Sequence, residues 1–176
     1  MSIIEKVRNA IRDVPDFPKP GILFKDITPI LESPVLCREI VAELADPFHN
    51  QEIDAIVGVE SRGFLFGMML AQFLNVPFIP VRKAGKLPYR TVSWSYDLEY
   101  GSSVIEMHED ALKQGWNVLI HDDLLATGGT AAASAELIRM QHAKVAGFTF
   151  VVELGFLSGR IHLEKYGAAV KSIISY

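Results

Sequence analysis

The segment that most restricts how this chain can fold is Val118-Leu119-Ile120-His121-Asp122-Asp123-Leu124-Leu125-Ala126-Thr127-Gly128-Gly129-Thr130. An apolar run over 117–121, too short for a helix, ends in two carboxylates. A tight loop with two glycines follows, and 130–140 then carries the alanines, leucine and glutamate of a strong helix. A buried strand feeding a helix in this way belongs to an α/β domain. Short apolar runs at 53–59, 77–81, 145–154 and 169–174 read as further strands, with two more at 94–99 and 104–107. Helical patterns at 64–74 and near 159–165 lie between them, which predicts a central, mostly parallel sheet flanked by helices. A chain of 176 residues suits one domain, 1–176, with one sizeable core.

The N-terminal part has its own signals. Ser2 and Glu5 form a capping-box pattern, and Ile3, Ile4, Val7 and Ile11 recur at helical spacing. That helix should stop before Pro15, and the proline-rich 15–21 stretch reads as a rigid extended loop rather than regular structure. Ser33-Pro34 marks a second helix start, running to about Phe48.

Charge and cysteine content remove several classes of function. A net charge of -4 disfavours non-specific nucleic-acid binding. Cys37 is the only cysteine, so neither an internal disulfide nor a multi-cysteine metal site can form; it reads as a buried small hydrophobe. No apolar run has membrane-spanning length, and the first residues carry charge where a signal peptide is apolar. A cytoplasmic location is the expectation.

In an open α/β sheet, ligands bind at the carboxyl ends of the strands. The turn 126–129 therefore offers free N–H groups and the positive end of a helix to an anion, with Gly128 and Gly129 allowing close approach. Thr127 and Thr130 add hydroxyl donors. The segment is neither a Walker A loop nor a dinucleotide fingerprint. Asp122 and Asp123, ionised, can accept from the 2′- and 3′-hydroxyls of a ribose. Acids and cradle together describe a ribose 5-phosphate pocket; a plain polar turn is the alternative.

The run Asp122–Thr130 resembles the phosphoribosyl pyrophosphate signature of type I phosphoribosyltransferases, the adenine-specific branch in particular. His121 stands where that family has an apolar residue and reads as a buried, hydrogen-bonded side chain. The resemblance covers nearly the whole chain. It implies the type I phosphoribosyltransferase fold with a small N-terminal hood, about 1–35. Residues 15–27 are similar to the adenine hood, which implies Phe24 stacked on the base and main-chain groups of Leu23 and Lys25 on its edge. Residues 59–67 are similar to the pyrophosphate loop, which implies a cis Glu60-Ser61 bond and Arg62 on phosphate oxygens. A salt bridge to a neighbouring acid is the plainer reading of Arg62.

Residues 82–93 read as one long loop, and 82–90 hold four cations, Arg82, Lys83, Lys86 and Arg90. By composition this is a solvated loop; the resemblance implies a flap in which Arg82, Lys83 and Lys86 close on pyrophosphate. Leu98-Glu99-Tyr100-Gly101 is similar to the family's base-side acid, which gives Glu99 the proton at adenine N7. Glu106, His108, Glu109 and Asp110 read as solvated surface rather than metal ligands.

The resemblance implies a purine-salvage transferase that makes AMP and pyrophosphate from adenine and phosphoribosyl pyrophosphate, with Glu99 and Arg62 catalytic. It implies Mg²⁺ carried by the substrate, and a homodimer. Transfer to another base stays open, as does a phosphoribosyl-pyrophosphate-sensing regulator.

Overall fold

The computed structural model describes residues 1–98 and 101–176. Helix α1 (Ile3–Ala10) starts in the expected capping box, with Ser2 and Glu5 each satisfying the other's backbone N–H. Two short strands, β1 (Arg12–Pro15) and β2 (Leu23–Asp26), pair antiparallel as a separate small sheet. The helix stops before Pro15 as expected, and 12–15 is a strand rather than loop. Pro15 is tolerated because it ends that strand. Helix α2 (Pro34–Ala45) is capped by Ser33, with proline at its first turn as expected, and a single 3₁₀ turn continues it through Phe48.

The main sheet is built from β3 (Ala55–Val59), β4 (Phe78–Lys83), β5 (Thr91–Asp97), β6 (Ser102–His108), β7 (Asn117–Leu125), β8 (Lys144–Glu153) and β9 (Ala169–Ser175). Their order is β5-β6-β4-β3-β7-β8-β9. From β4 to β9 the pairing is parallel; β6 joins β4 antiparallel, and β5 joins β6 the same way. Helices α3 (Gly63–Leu74), α4 (Gly129–Met140) and the short α5 (Ile161–Glu164) complete the chain. The mostly parallel α/β sheet is as expected.

Both faces of the central strands are covered, which explains their continuous apolar runs. Val57, Val59 and Ile120 pack under α4 with Leu137 and Phe148. Ile56 and Leu119 face the other way, onto Phe66 and Leu70 of α3 and Ile40 and Leu44 of α2. The chain leaves β3 through α3 on one face and leaves β7 through α4 on the other. Neighbouring strands β3 and β7 therefore send their connections apart, and a crevice opens at their carboxyl ends. Residues 60–62 and 122–128 lie there.

Two boundaries differ from the sequence reading. Strand β7 does not end at the acids; pairing with β8 continues through Leu124↔Val152 and Leu125↔Glu153, so both carboxylates lie within a strand. Arg82 and Lys83 belong to β4, held by pairing to Glu106 and Ile105, and β5 begins at Thr91. The expected loop 82–93 shrinks to 84–90. In both places a strand partner distant in sequence supplies hydrogen bonds that local composition does not reveal.

Candidate active site

The cradle forms at the end of β7. A concavity of about 70 Å³ is lined by Asp122, Leu124 to Ala131 and Phe150. Gly128 caps α4 with φ +83, a conformation that carries a steric cost for side chains. No side chain caps this end of the helix, so its first N–H groups remain available to an anion. Ala126, Thr127, Gly128, Gly129 and Thr130 are all brought to this cavity. Tyr96 of β5 reaches across from the hairpin, its hydroxyl 3.0 Å from Thr130 Oγ1.

The two acids are not equivalent. Asp123 is buried and forms an ion pair with Arg62, whose Nε lies 3.1 Å from Asp123 Oδ2. Burial raises the Asp123 pKa, and the Arg62 charge opposes that rise. Asp122 faces the cradle and a second cavity that it shares with Glu60, Arg82, Lys83, Tyr96 and Thr130. Burial, reinforced by the negative charge of Asp123, raises the Asp122 pKa well above the usual carboxylate value. Asp123 has the Arg62 charge beside it, and Asp122 Oδ1 accepts from the Asp123 backbone N–H at 2.8 Å.

Arg62 precedes α3, just past the Glu60-Ser61 peptide bond, which is cis as the family resemblance implied. Its guanidinium carbon also lies 4.9 Å from the centre of the Phe24 ring. Phe24 is half-buried and meets Phe17 edge-on at 5.1 Å, so it is not a core residue. Asp123, Arg62 and Phe24 thus form one continuous stack from β7 to β2. Leu23 and Lys25 flank Phe24 on β2; Lys25 Nζ is held by Asp13 at 2.7 Å and lies over the Tyr176 ring.

The basic segment is organised by one acid. Glu60 accepts from the Lys86 ammonium, from Arg82 Nε at 3.3 Å and from the Lys83 backbone N–H at 2.8 Å. The sequence pointed to these cations as pyrophosphate ligands and gave no role to Glu60. In the structure Arg82 and Lys86 are paired with it. Those pairs and hydrogen bonds hold the Glu60 carboxyl below its ordinary pKa against the opposing effect of burial. Gly85 N–H bonds Glu106, which fixes the other side of the segment. Glu99 lies outside the described residues.

His121 is fully buried. Thr149 gives its hydroxyl proton to the Ile120 carbonyl, so His121 Nδ1 donates to Thr149 Oγ1 at 3.0 Å. The ring is then neutral, with its pKa pushed down to about 3 by burial.

Sequence reasoning missed Tyr96, Glu60, Gly159 and His162. Gly159 packs directly against the backbone of the cradle turn, and His162 Nδ1 donates to the Thr127 carbonyl at 2.6 Å. Only the unexplained Gly159 at the start of a helical turn hinted at a close backbone approach.

Comparison with known proteins agrees with this geometry. The pattern of the phosphoribosyl transferase domain family matches residues 25–174. Adenine phosphoribosyltransferase of Nitrosococcus oceani is 54% identical over 98% of this chain and 100% of its own length. The crystal structure of the Rhodothermus marinus enzyme of that name superposes with a TM-score of 0.94 at 50% identity, covering 99% of this chain and 98% of that one. The Saccharomyces cerevisiae enzyme, solved with adenine and an imino-altritol bisphosphate, gives 0.91 at 43% identity over 98% of both chains.

Proposed function

Because the chain belongs to the adenine phosphoribosyltransferase family, we propose that its crevice residues divide the reaction between a ribose cradle, a pyrophosphate side and a base hood. The reaction joins adenine to phosphoribosyl pyrophosphate and yields AMP and pyrophosphate. The observation that carries this division is the Asp123–Arg62–Phe24 stack, which links the cradle strand to the hood across the crevice.

The amides of Ala126 to Gly129, with the Thr127 and Thr130 hydroxyls, hold the 5-phosphate. Asp122 and Asp123 take the ribose hydroxyls, and their carboxylates accept those hydrogen bonds. Arg62 exchanges its hold on Asp123 for phosphate oxygens of the diphosphate, which its planar fork suits. Arg82, Lys83 and Lys86 stabilise the departing charge from the flap. Phe24 stacks on adenine in the hood formed by about residues 1–35, with Leu23 and Lys25 main-chain groups on its edge. Glu99 handles the N7 proton as N9 becomes the nucleophile.

The C1–O bond breaks through an oxocarbenium-like state while N9 attacks from the opposite face, so positioning does much of the work. Mg²⁺ would be held by the substrate's diphosphate and diol, hard oxygen donors, beside the carboxyl oxygens of Asp122 and Asp123. When bound it neutralises the diphosphate charge.

Leu65, Met68 and Phe73 leave apolar side chains exposed along α3, which supports a homodimer through that face. One substrate, phosphoribosyl pyrophosphate, is a highly charged phosphorylated metabolite, which fits a cytoplasmic reaction. The deciding experiment is AMP release from adenine, phosphoribosyl pyrophosphate and Mg²⁺, with hypoxanthine and guanine as controls. Equal turnover of hypoxanthine would overturn the adenine assignment.

A further inference from the structure

We propose that the turn 158–162 is a positioning element for the 5-phosphate cradle, with His162 as its working side chain. The proposal rests on the cradle reading above. Two backbones touch here. A Cβ on Gly128 would run into the Gly159 carbonyl oxygen, and a Cβ on Gly159 would run into the Ala126 carbonyl oxygen and come within 2.9 Å of Gly128 N. Each glycine is the condition for the other's close approach. His162 then fixes the orientation of the turn. The Thr127 carbonyl can only accept, so the 2.6 Å contact is a hydrogen bond donated by His162 Nδ1. Holding that carbonyl outward keeps the Gly128 amide of the same peptide pointing the other way, because the peptide unit is planar.

The turn can bear this load because it is itself anchored. Arg160 donates to Glu153 through Nε at 3.0 Å and to the Val170 carbonyl through Nη1 at 2.8 Å. Ser172 Oγ donates to the same carboxylate at 2.6 Å. The Arg160 bonds hold the Glu153 carboxyl below its ordinary pKa, so the anchor stays charged at neutral pH. Glu153 lies opposite Leu125 in the sheet, at the end of the strand that carries the acids. A stiff path therefore runs from β8 and β9 through Arg160 to Gly159 and His162, and from there to the peptide that faces the phosphate.

The test is steady-state kinetics of His162→Ala and His162→Asn, the second retaining a donor near the Nδ1 position. His162→Ala should raise the KM for phosphoribosyl pyrophosphate about tenfold, the loss of one hydrogen bond's worth of ordering. The adenine KM and kcat should stay within about twofold, and the thermal midpoint should hardly move, since His162 is exposed. His162→Asn should recover most of the affinity. An unchanged KM, a parallel rise for both substrates, or an asparagine variant as weak as alanine would each overturn the proposal. Thr127→Glu, which places a carboxylate at the cradle, separates the two levels. If it weakens phosphoribosyl pyrophosphate while His162→Ala is silent, the cradle stands and the positioning role falls. If it leaves the KM unchanged, the cradle reading itself falls.

Discussion

The cradle at 126–130 and the basic segment at 82–90 both bind anions in the proposed reaction, yet they are made differently. The cradle is main chain: a strand end, a left-handed Gly128 and the open N-terminus of α4. The basic segment is side chain: Arg82 and Lys86 reach Glu60, an acid more than twenty residues away in sequence. A main-chain site is fixed when the fold is fixed and costs no rotamer entropy on binding. A side-chain site must release existing partners first and must order long, flexible cations. The first should dominate affinity and the second should modulate it.

The largest effect should therefore come from Gly128→Ala. A positive φ of 83° and the Gly159 carbonyl both oppose the added methyl. The expected loss is about a hundredfold in kcat/KM for phosphoribosyl pyrophosphate, roughly 3 kcal/mol. A loss below that of any single flap cation would break the comparison. Lys86→Ala should cost about tenfold in the same quantity, since one screened charge is removed. Its effect should shrink at high ionic strength, whereas that of Gly128→Ala should not.

Asp122→Asn sharpens the cradle side. Burial raises the folded-state pKa of Asp122 above its ordinary value of 3.8. The group therefore stabilises the fold below that value, and this contribution is lost as pH rises through the folded pKa. At neutral pH a neutral amide should be better tolerated than a carboxylate by about 1 kcal/mol. Denaturant unfolding should show a more stable variant, and the same protein should be nearly inactive if Asp122 holds the ribose. A destabilised Asp122→Asn would show that this acid is satisfied as it stands. The smallest effect is the coupling between Glu60 and Lys86. A double-mutant cycle on thermal stability with Glu60→Gln and Lys86→Ala should give about 0.5 kcal/mol, because Lys86 remains half exposed. A coupling several times larger would make the segment a fixed wall rather than a movable one.

The same contrast explains what the sequence could reveal. The β7–turn–α4 unit was legible because its signals are local: an apolar run, two glycines and a strong helix within about two dozen residues. The capping box at Ser2 and the Ser33-Pro34 helix start were legible for the same reason. What escaped depends on distant partners. Strand β1 exists only because β2 pairs with it across a proline-rich connection. Strand β7 outlasts its apolar run because β8 continues beside it. Glu60 gains its cations, and Thr127 its histidine, through contacts that no window of sequence contains. Arg62 was read as either a phosphate ligand or a partner of an acid, and the structure pairs it with Asp123 while leaving it beside the Phe24 ring.

Strands β3 and β7 lie side by side in fixed register, with Gly58 opposite His121. They act as the two jaws of a caliper whose opening is one interstrand spacing, about 4.8 Å. The groups at the tips of both jaws, proposed to face the phosphates, are gauged by the sheet itself, while the small β1–β2 sheet is not hydrogen-bonded into it. In the proposed reaction Arg62, which touches both Phe24 and Asp123, is the joint through which a change in that small sheet would be felt by the strands.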